Sequence, residues 1–199
     1  MTEKDATRDE RPWALVSGAS GGLGQAFSRH LASCGANLVL TGRRQDVLDD
    51  LATKLTTRYG IRTIVRPCDI ASASERLTLV EDIAGRGIII DTLVNNAGFG
   101  AAGRIAETDP VRQTSQVEVN CEAVVHLCGL LLPGMIAAKQ GSIINVASTA
   151  AFQPIPQFAT YAASKSFVLS FTKALWAETN GTGVRVTAVC PGPTETGFF

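Results

Sequence analysis

The 199-residue chain has no excess of either charge: eighteen Lys and Arg are balanced by eighteen Asp and Glu. No overall field therefore favours nucleic acid or an anionic membrane surface, and neither is expected as a partner. Histidine is scarce, at two, and the five cysteines (Cys34, Cys68, Cys121, Cys128 and Cys190) include no C-x-x-C and no paired spacing. That argues against a zinc site or a disulfide framework, so no metal is expected and the thiols are read as packing residues. The opening "MTEKDATRDER" carries both charge signs with no apolar segment, which is not the pattern of a signal peptide. A long unbroken apolar run is missing too. The most apolar stretch, 123–138, contains His126 and is broken by Pro133-Gly134. It falls short of the ~20 residues a spanning helix needs, and is read as a buried helix of a cytoplasmic protein without a membrane span. No linker, repeat or low-complexity segment divides the chain, so 12–199 is read as one domain behind a polar tail at 1–11.

What is present is a chain that is 45% hydrophobic, enough for a core in a domain of this length. Apolar runs alternate with helical patterns. Strands are predicted over 13–17, 37–41, 61–67, 89–95, 142–147 and 184–190. Helices are predicted over 22–34, 45–59, 72–86, 110–139 and 158–179, the third opening on a capping-box-like Ser72-Ala73-Ser74-Glu75. Strands that are apolar throughout, each followed by a helix, specify an α/β fold with a doubly wound parallel sheet. Its ligand crevice lies at the carboxyl ends of the strands.

At the first of those ends stands "VSGASGGLG". Gly18, Gly22 and Gly24 make a tight turn without Cβ atoms, which lets backbone approach a pyrophosphate. The helix N-terminus behind it supplies free N–H groups. Strand two ends in "LVLTGRRQD", with Arg43 and Arg44 where a carboxylate would select the 2′-hydroxyl of NAD. A guanidinium suits a 2′-phosphate instead. NADP(H) is therefore the preferred cofactor, with NAD(H) possible and Arg43 the stronger candidate.

Seven motifs in order, "SGASGGLG", "CDI", "NNAG", the Asn of "VEVNC", the Ser of "INVAS", "YAASK" and "PGPTET", resemble the short-chain dehydrogenase/reductase family in its compact, single-domain branch. The similarity runs from about Ala14 to Thr196 and implies a Rossmann fold. One departure is Ser17, where the family usually has threonine; the hydroxyl survives. The resemblance implies that Gly18, Ser20, Gly22, Leu23 and Gly24 hold the pyrophosphate, and that Asp69 and Ile70 flank the adenine. It also implies that Asn96, Ala97 and Gly98 contact the adenosine side and brace the sheet. Pro191, Gly192, Thr194 and Thr196 are expected to line the nicotinamide.

Tyr161 and Lys165 are four apart on one helix and share a face. Reduction of a carbonyl by hydride needs a proton donor for the developing alkoxide, and tyrosine, with a pKa of ~10, holds its proton tightly. A neighbouring ammonium favours the phenolate. The expected catalytic set is Tyr161 as general acid or base, Ser148 as oxygen binder, and Lys165 as pKa modifier and ribose ligand; Tyr161 is also expected to contact the cofactor. The resemblance adds Asn120 as a proton relay, supporting a water that links Lys165 to solvent. "GASGG" is not a G-x-S-x-G nucleophile turn, so no serine-hydrolase reading competes.

The segments "AGFGAAG" and "STAAFQPIPQFATY" are poor in charge, and Phe99, Phe152, Ile155 and Phe158 are candidates for an apolar pocket. The expected partner is a small-molecule carbonyl or alcohol, with a bulky or lipophilic ketone such as a 3-oxoacyl or steroid-like compound preferred. Two alternatives are an NADP(H)-binding protein or inactive partner without a complete substrate pocket and, less favoured, a sugar-nucleotide epimerase or dehydratase. The resemblance implies a homodimer or homotetramer through the long helix and the Tyr161 helix, with Val124, Leu127, Leu130 and Leu131 fitting a partner or a core equally. It also implies a substrate-covering segment and a seventh strand after "PGPTETGFF"; both are expected to be missing, leaving the domain C-terminally short.

Overall fold

The computed structural model describes residues 11–193. Six strands form one parallel sheet in the order β3-β2-β1-β4-β5-β6. They are β1 Trp13–Ser17, β2 Asn37–Gly42, β3 Thr63–Pro67, β4 Ile90–Asn95, β5 Gly141–Val146 and β6 Val184–Val189. The helices are α1 Gly22–Ser33, α2 Gln45–Tyr59, α3 Ala73–Gly85, α4 Pro110–Val117, α5 Ala123–Ala137 and α6 Ala159–Glu178. Strand order reverses between β1 and β4, which opens the crevice of a doubly wound sheet above their carboxyl ends.

Burial on both faces explains the unbroken apolar runs of β1 and β2, whereas β6 alternates buried and exposed residues. Leu15 and Val39 belong to a core under α3, α5 and α6, with Leu79, Leu127 and Val168. Val16, Leu38 and Leu40 face the opposite way, onto Ala32, Leu48 and Leu55 of α1 and α2. Period-two alternation therefore serves two cores instead of one core and solvent.

Two elements differ from expectation. The Ser72 box closes on one side only: its Oγ accepts from Glu75 N (3.3 Å), but the Glu75 carboxylate accepts from Asp69 N (2.8 Å) instead of Ser72 N. Glu75 thus shapes the loop before α3. The long helix is not a single α-helix either. A π turn, Glu118–Glu122, joins α4 to α5 and is marked by the i→i+5 bond from Ala123 N to Glu118 O. The continuous helical stretch Pro110–Ala137, 28 residues, is long and apolar enough to cross a membrane by length and composition, which 123–138 alone is not. One face of it, Val124, Leu127 and Cys128, is packed in the core. The tail at 1–10 and the ending from Thr194, including Thr196, Phe198 and Phe199, lie outside the described residues.

Candidate active site

A cavity of about 780 Å³ opens at the β1/β4 switch point. Its floor is the glycine turn, where Gly18, Ser20, Gly22, Leu23 and Gly24 all reach the surface of the cavity. No side chain caps α1, whose N-cap is Gly21, so the first-turn N–H groups face the cavity without a protein acceptor from the cap. A Cβ on Gly24 would lie 2.2 Å from Gly18 O and 2.8 Å from Asn96 Nδ2. Only glycine permits that approach of turn, helix and β4. These features fit a dinucleotide pyrophosphate.

The turn is braced from the adjacent strand. Asn96 Nδ2 donates to Ser17 O (2.9 Å) and Gly18 O (3.1 Å). Ser17 Oγ accepts from Asn96 N and Ala97 N, both at 3.0 Å, and donates to Val94 O at 3.3 Å. The serine hydroxyl therefore meets its full hydrogen-bonding capacity. Deeper in the sheet, Asn95 Nδ2 donates to Asn145 Oδ1 (2.9 Å).

At the end expected to hold the adenosine, Arg43, Arg44, Asp69 and Ile70 line the cavity. The two arginines do different work. Arg44 Nη2 donates to Ser20 O (2.7 Å), clamping the glycine turn, whereas Arg43 is exposed and bonds no described residue. Cys68 also lines this end; burial pushes its thiol up to about 11, as expected of a packing cysteine.

At the other end stand Ser148, Tyr161 and Lys165, together with Pro191 and Gly192; Pro191 O accepts from Thr149 N (3.0 Å), next to Ser148. Ser148 follows β5 and accepts from Ala150 N (3.1 Å), starting a 3₁₀ turn, Thr149–Phe152. Tyr161 lies in the first turn of α6, buried, its ring edge-to-face with Phe158 at 6.3 Å. One turn on, Lys165 is 3% exposed and donates to Val146 O (2.8 Å). Burial lowers its pKa from 10.5 to about 8, an effect that Cys121 and Cys190 partly offset.

Asn120 lies inside the π turn and is 1% exposed. Its Nδ2 donates to Phe99 O and Ser164 Oγ, both at 3.0 Å, and its Oδ1 accepts from Phe99 N at 3.1 Å. Both amide donors are thus spent on protein, leaving one lone pair for the water of a relay. A Cβ on Gly98 would sit 3.0 Å from Asn120 Oδ1 and 3.4 Å from Lys165 Nζ, so only a glycine's width separates the two.

Of the residues expected to form an apolar pocket, Phe99, Ile155 and Phe158 line the cavity, with Val119, Ala150 and Gln153. Phe152 does not. The short 3₁₀ turn points it outward, 67% exposed. Ser164 was not anticipated as a site residue, although it stands directly before Lys165 and three residues after Tyr161, on the same helix face.

A sequence profile of the short chain dehydrogenases matches residues 12–199. The chain belongs to that family. Sulfoacetaldehyde reductase 2 of Chromohalobacter salexigens is 37% identical over 92% of this chain and 73% of its own length. A very-long-chain 3-oxoacyl-CoA reductase of Phaeosphaeria nodorum is also 37% identical, over 89% of this chain but 53% of its own. The chain thus spans about half to three quarters of these relatives. Among solved structures, a short-chain dehydrogenase from Sphingobium yanoikuyae in complex with NADPH superposes with a TM-score of 0.89 at 28% identity, covering 94% of this chain and 73% of that one. In a short-chain dehydrogenase with this cavity, the glycine turn, the Arg43 edge and the Ser148–Tyr161–Lys165 end line one continuous trough.

Proposed function

We propose that the protein is an NADP(H)-dependent oxidoreductase interconverting a carbonyl and a secondary alcohol, with a hydrophobic ketone of 3-oxoacyl or steroid-like kind as substrate. The observation that carries this reading is the meeting, in one cavity, of Ser148, Tyr161 and Lys165 with the uncapped α1 terminus and Arg43. NADPH, when bound, supplies the hydride. The chain's part is to position the carbonyl and deliver a proton. Ser148 holds the substrate oxygen, and the Tyr161 hydroxyl protonates it as charge develops. Lys165 holds the ribose and keeps positive charge beside the oxygen that has given up its proton; in the oxidative direction Tyr161 takes the proton back. Asn120 keeps Phe99 and α6 in register around them.

Arg43 binds the 2′-phosphate through its planar fork, and Arg44 holds the turn beneath the pyrophosphate. The wall of Phe99, Val119, Ile155 and Phe158 favours an apolar substrate, as the name of the 3-oxoacyl-CoA reductase also suggests. It offers a sulfonate such as sulfoacetaldehyde no cation other than Lys165 among the described residues. Assembly is a homodimer or homotetramer, using the outward Val117, Val125, Phe167 and Trp176 of the long helix and α6.

The test is a carbonyl panel assayed with NADPH and with NADH. Reaction of 3-oxoacyl thioesters or bulky ketones with a lower KM for NADPH is expected. Turnover of small polar ketones or sugars alone rejects the substrate class, and equal KM values reject the cofactor preference. NADPH binding with no oxidation by any carbonyl supports the alternative, a cofactor-binding protein without turnover.

A further inference from the structure

Arg76 heads the largest fully buried side chains, at 0% exposure, yet it touches neither end of the cavity directly. It lies in α3, and its guanidinium makes four hydrogen bonds in three directions. Nη1 donates to Ile70 O (2.6 Å) and Ala71 O (3.0 Å), in the loop whose Asp69 and Ile70 wall the adenosine end. Nε donates to His126 Nδ1 (3.0 Å) in α5, and Nη2 pairs with the carboxylate of Glu122. Glu122 is the last residue of the π turn that carries Asn120.

Burying a guanidinium is costly, and an apolar side chain of the same volume would fill the space without desolvating a charge. Packing alone therefore does not account for the residue. Its partners do. A π turn holds one residue more than an α-helix needs, and such turns sit preferentially at functional sites. Here the insertion aims Asn120 at Phe99 and at Ser164 of the Tyr161 helix. Its far end is fixed to Arg76 through Glu122. The same guanidinium grips the adenosine loop by two carbonyls.

We infer that Arg76 is a positioning residue: it ties the adenosine wall to the π turn, so that Asn120 is held in the register that organises the catalytic end. Its value to turnover rests on the reductase reading above; its effect on the register does not.

The experiment compares wild type with Arg76→Met, Arg76→Lys and Glu122→Gln. The first readout needs no cofactor. Backbone amide exchange at Phe99 should quicken by about tenfold in Arg76→Met, the equivalent of one hydrogen bond lost, while Leu15 and Val16 of β1 keep their protection. Arg76→Lys, which keeps the charge but not the fork, should restore part of it. Unchanged Phe99 exchange, or an equal rise in β1, overturns the proposal. If Arg76→Met does not fold, Glu122→Gln decides in the same way, because it loosens only the partly exposed end of the link. The second readout is NADPH affinity by fluorescence, expected to weaken about tenfold in Arg76→Met and to recover in part with Lys. If wild type binds no NADPH, the cofactor reading fails, and the exchange readout still judges Arg76.

Discussion

The Lys165 ammonium lies 5.9 Å from the centroid of the Tyr161 ring, one helical turn along α6, and is held there by the Val146 carbonyl. The pair is local in sequence, but the environment that matters comes from β5 and the π turn. Those elements bury the lysine almost completely, and that burial costs the cofactor-free fold stability.

Lys165→Met should therefore abolish turnover yet raise the melting temperature at pH 7. In the folded protein the amine titrates near 8, against an ordinary 10.5. Between those values the unfolded chain binds the extra proton, so stability rises with pH through the window from 8 to 10.5. Below pH 8 the burden is fully present, at about 3 kcal/mol. Loss of the bond to Val146 O returns about 1 kcal/mol of it. A gain of about 4–8 °C at pH 7, fading towards pH 10.5, is the expected result in calorimetry. A lower melting temperature at pH 7 would contradict it.

Tyr161→Phe removes only a hydroxyl, so the edge-to-face packing on Phe158 and the fold should persist. The expected loss in kcat is about a hundredfold or more. The NADPH dissociation constant should stay within about twofold, because the change is smaller than one ordinary hydrogen bond. Near-normal turnover would remove Tyr161 from the proton-transfer role.

Much of this site was legible because its signals are local. The glycine turn, the Tyr161–Lys165 spacing and Ser148 after β5 each depend on a few adjacent residues and one strand–helix junction. The central strands β1 and β2 were legible for a related reason: burial on both faces leaves the apolar runs Ala14-Leu15-Val16 and Leu38-Val39-Leu40. What could not be read is set by distant partners. A π turn needs one surplus residue, and nothing in "QVEVNCEAV" marks it; Arg76 and Phe99, far away in sequence, fix where it falls. Glu75 completes a capping pattern on paper, but the loop offers it Asp69 N instead. Phe152 looked like a pocket residue until the short 3₁₀ turn sent it outward.

Arg43 and Arg44 should separate cleanly in kinetics. Arg43→Ala should raise KM for NADPH by about tenfold or more, the loss of charge-assisted hydrogen bonds, and leave NADH unaffected. Arg44→Ala frees Ser20 O and loosens the pyrophosphate turn, so both cofactors should suffer alike. A selective NADPH defect in Arg44→Ala would reverse the two assignments.

Ser17 gives the sharpest test of how the glycine turn is held. Its hydroxyl joins β1 to β4 through Asn96 N, Ala97 N and Val94 O, and it is 2% exposed. In Ser17→Ala, Asn96 N keeps its bond to Val94 O (3.1 Å), so Ala97 N alone loses its acceptor, which should cost about 1–3 kcal/mol in denaturant unfolding. Weaker NADPH binding should accompany that cost, because Asn96 also grips Ser17 O and Gly18 O at the base of the turn. Ser17→Thr keeps the hydroxyl and adds a methyl group, so its bonds and cofactor affinity should survive with stability changed by about 1 kcal/mol at most. Equal damage from Ala and Thr would mean that the site is limited by space, and that the hydroxyl is not what braces the cofactor turn.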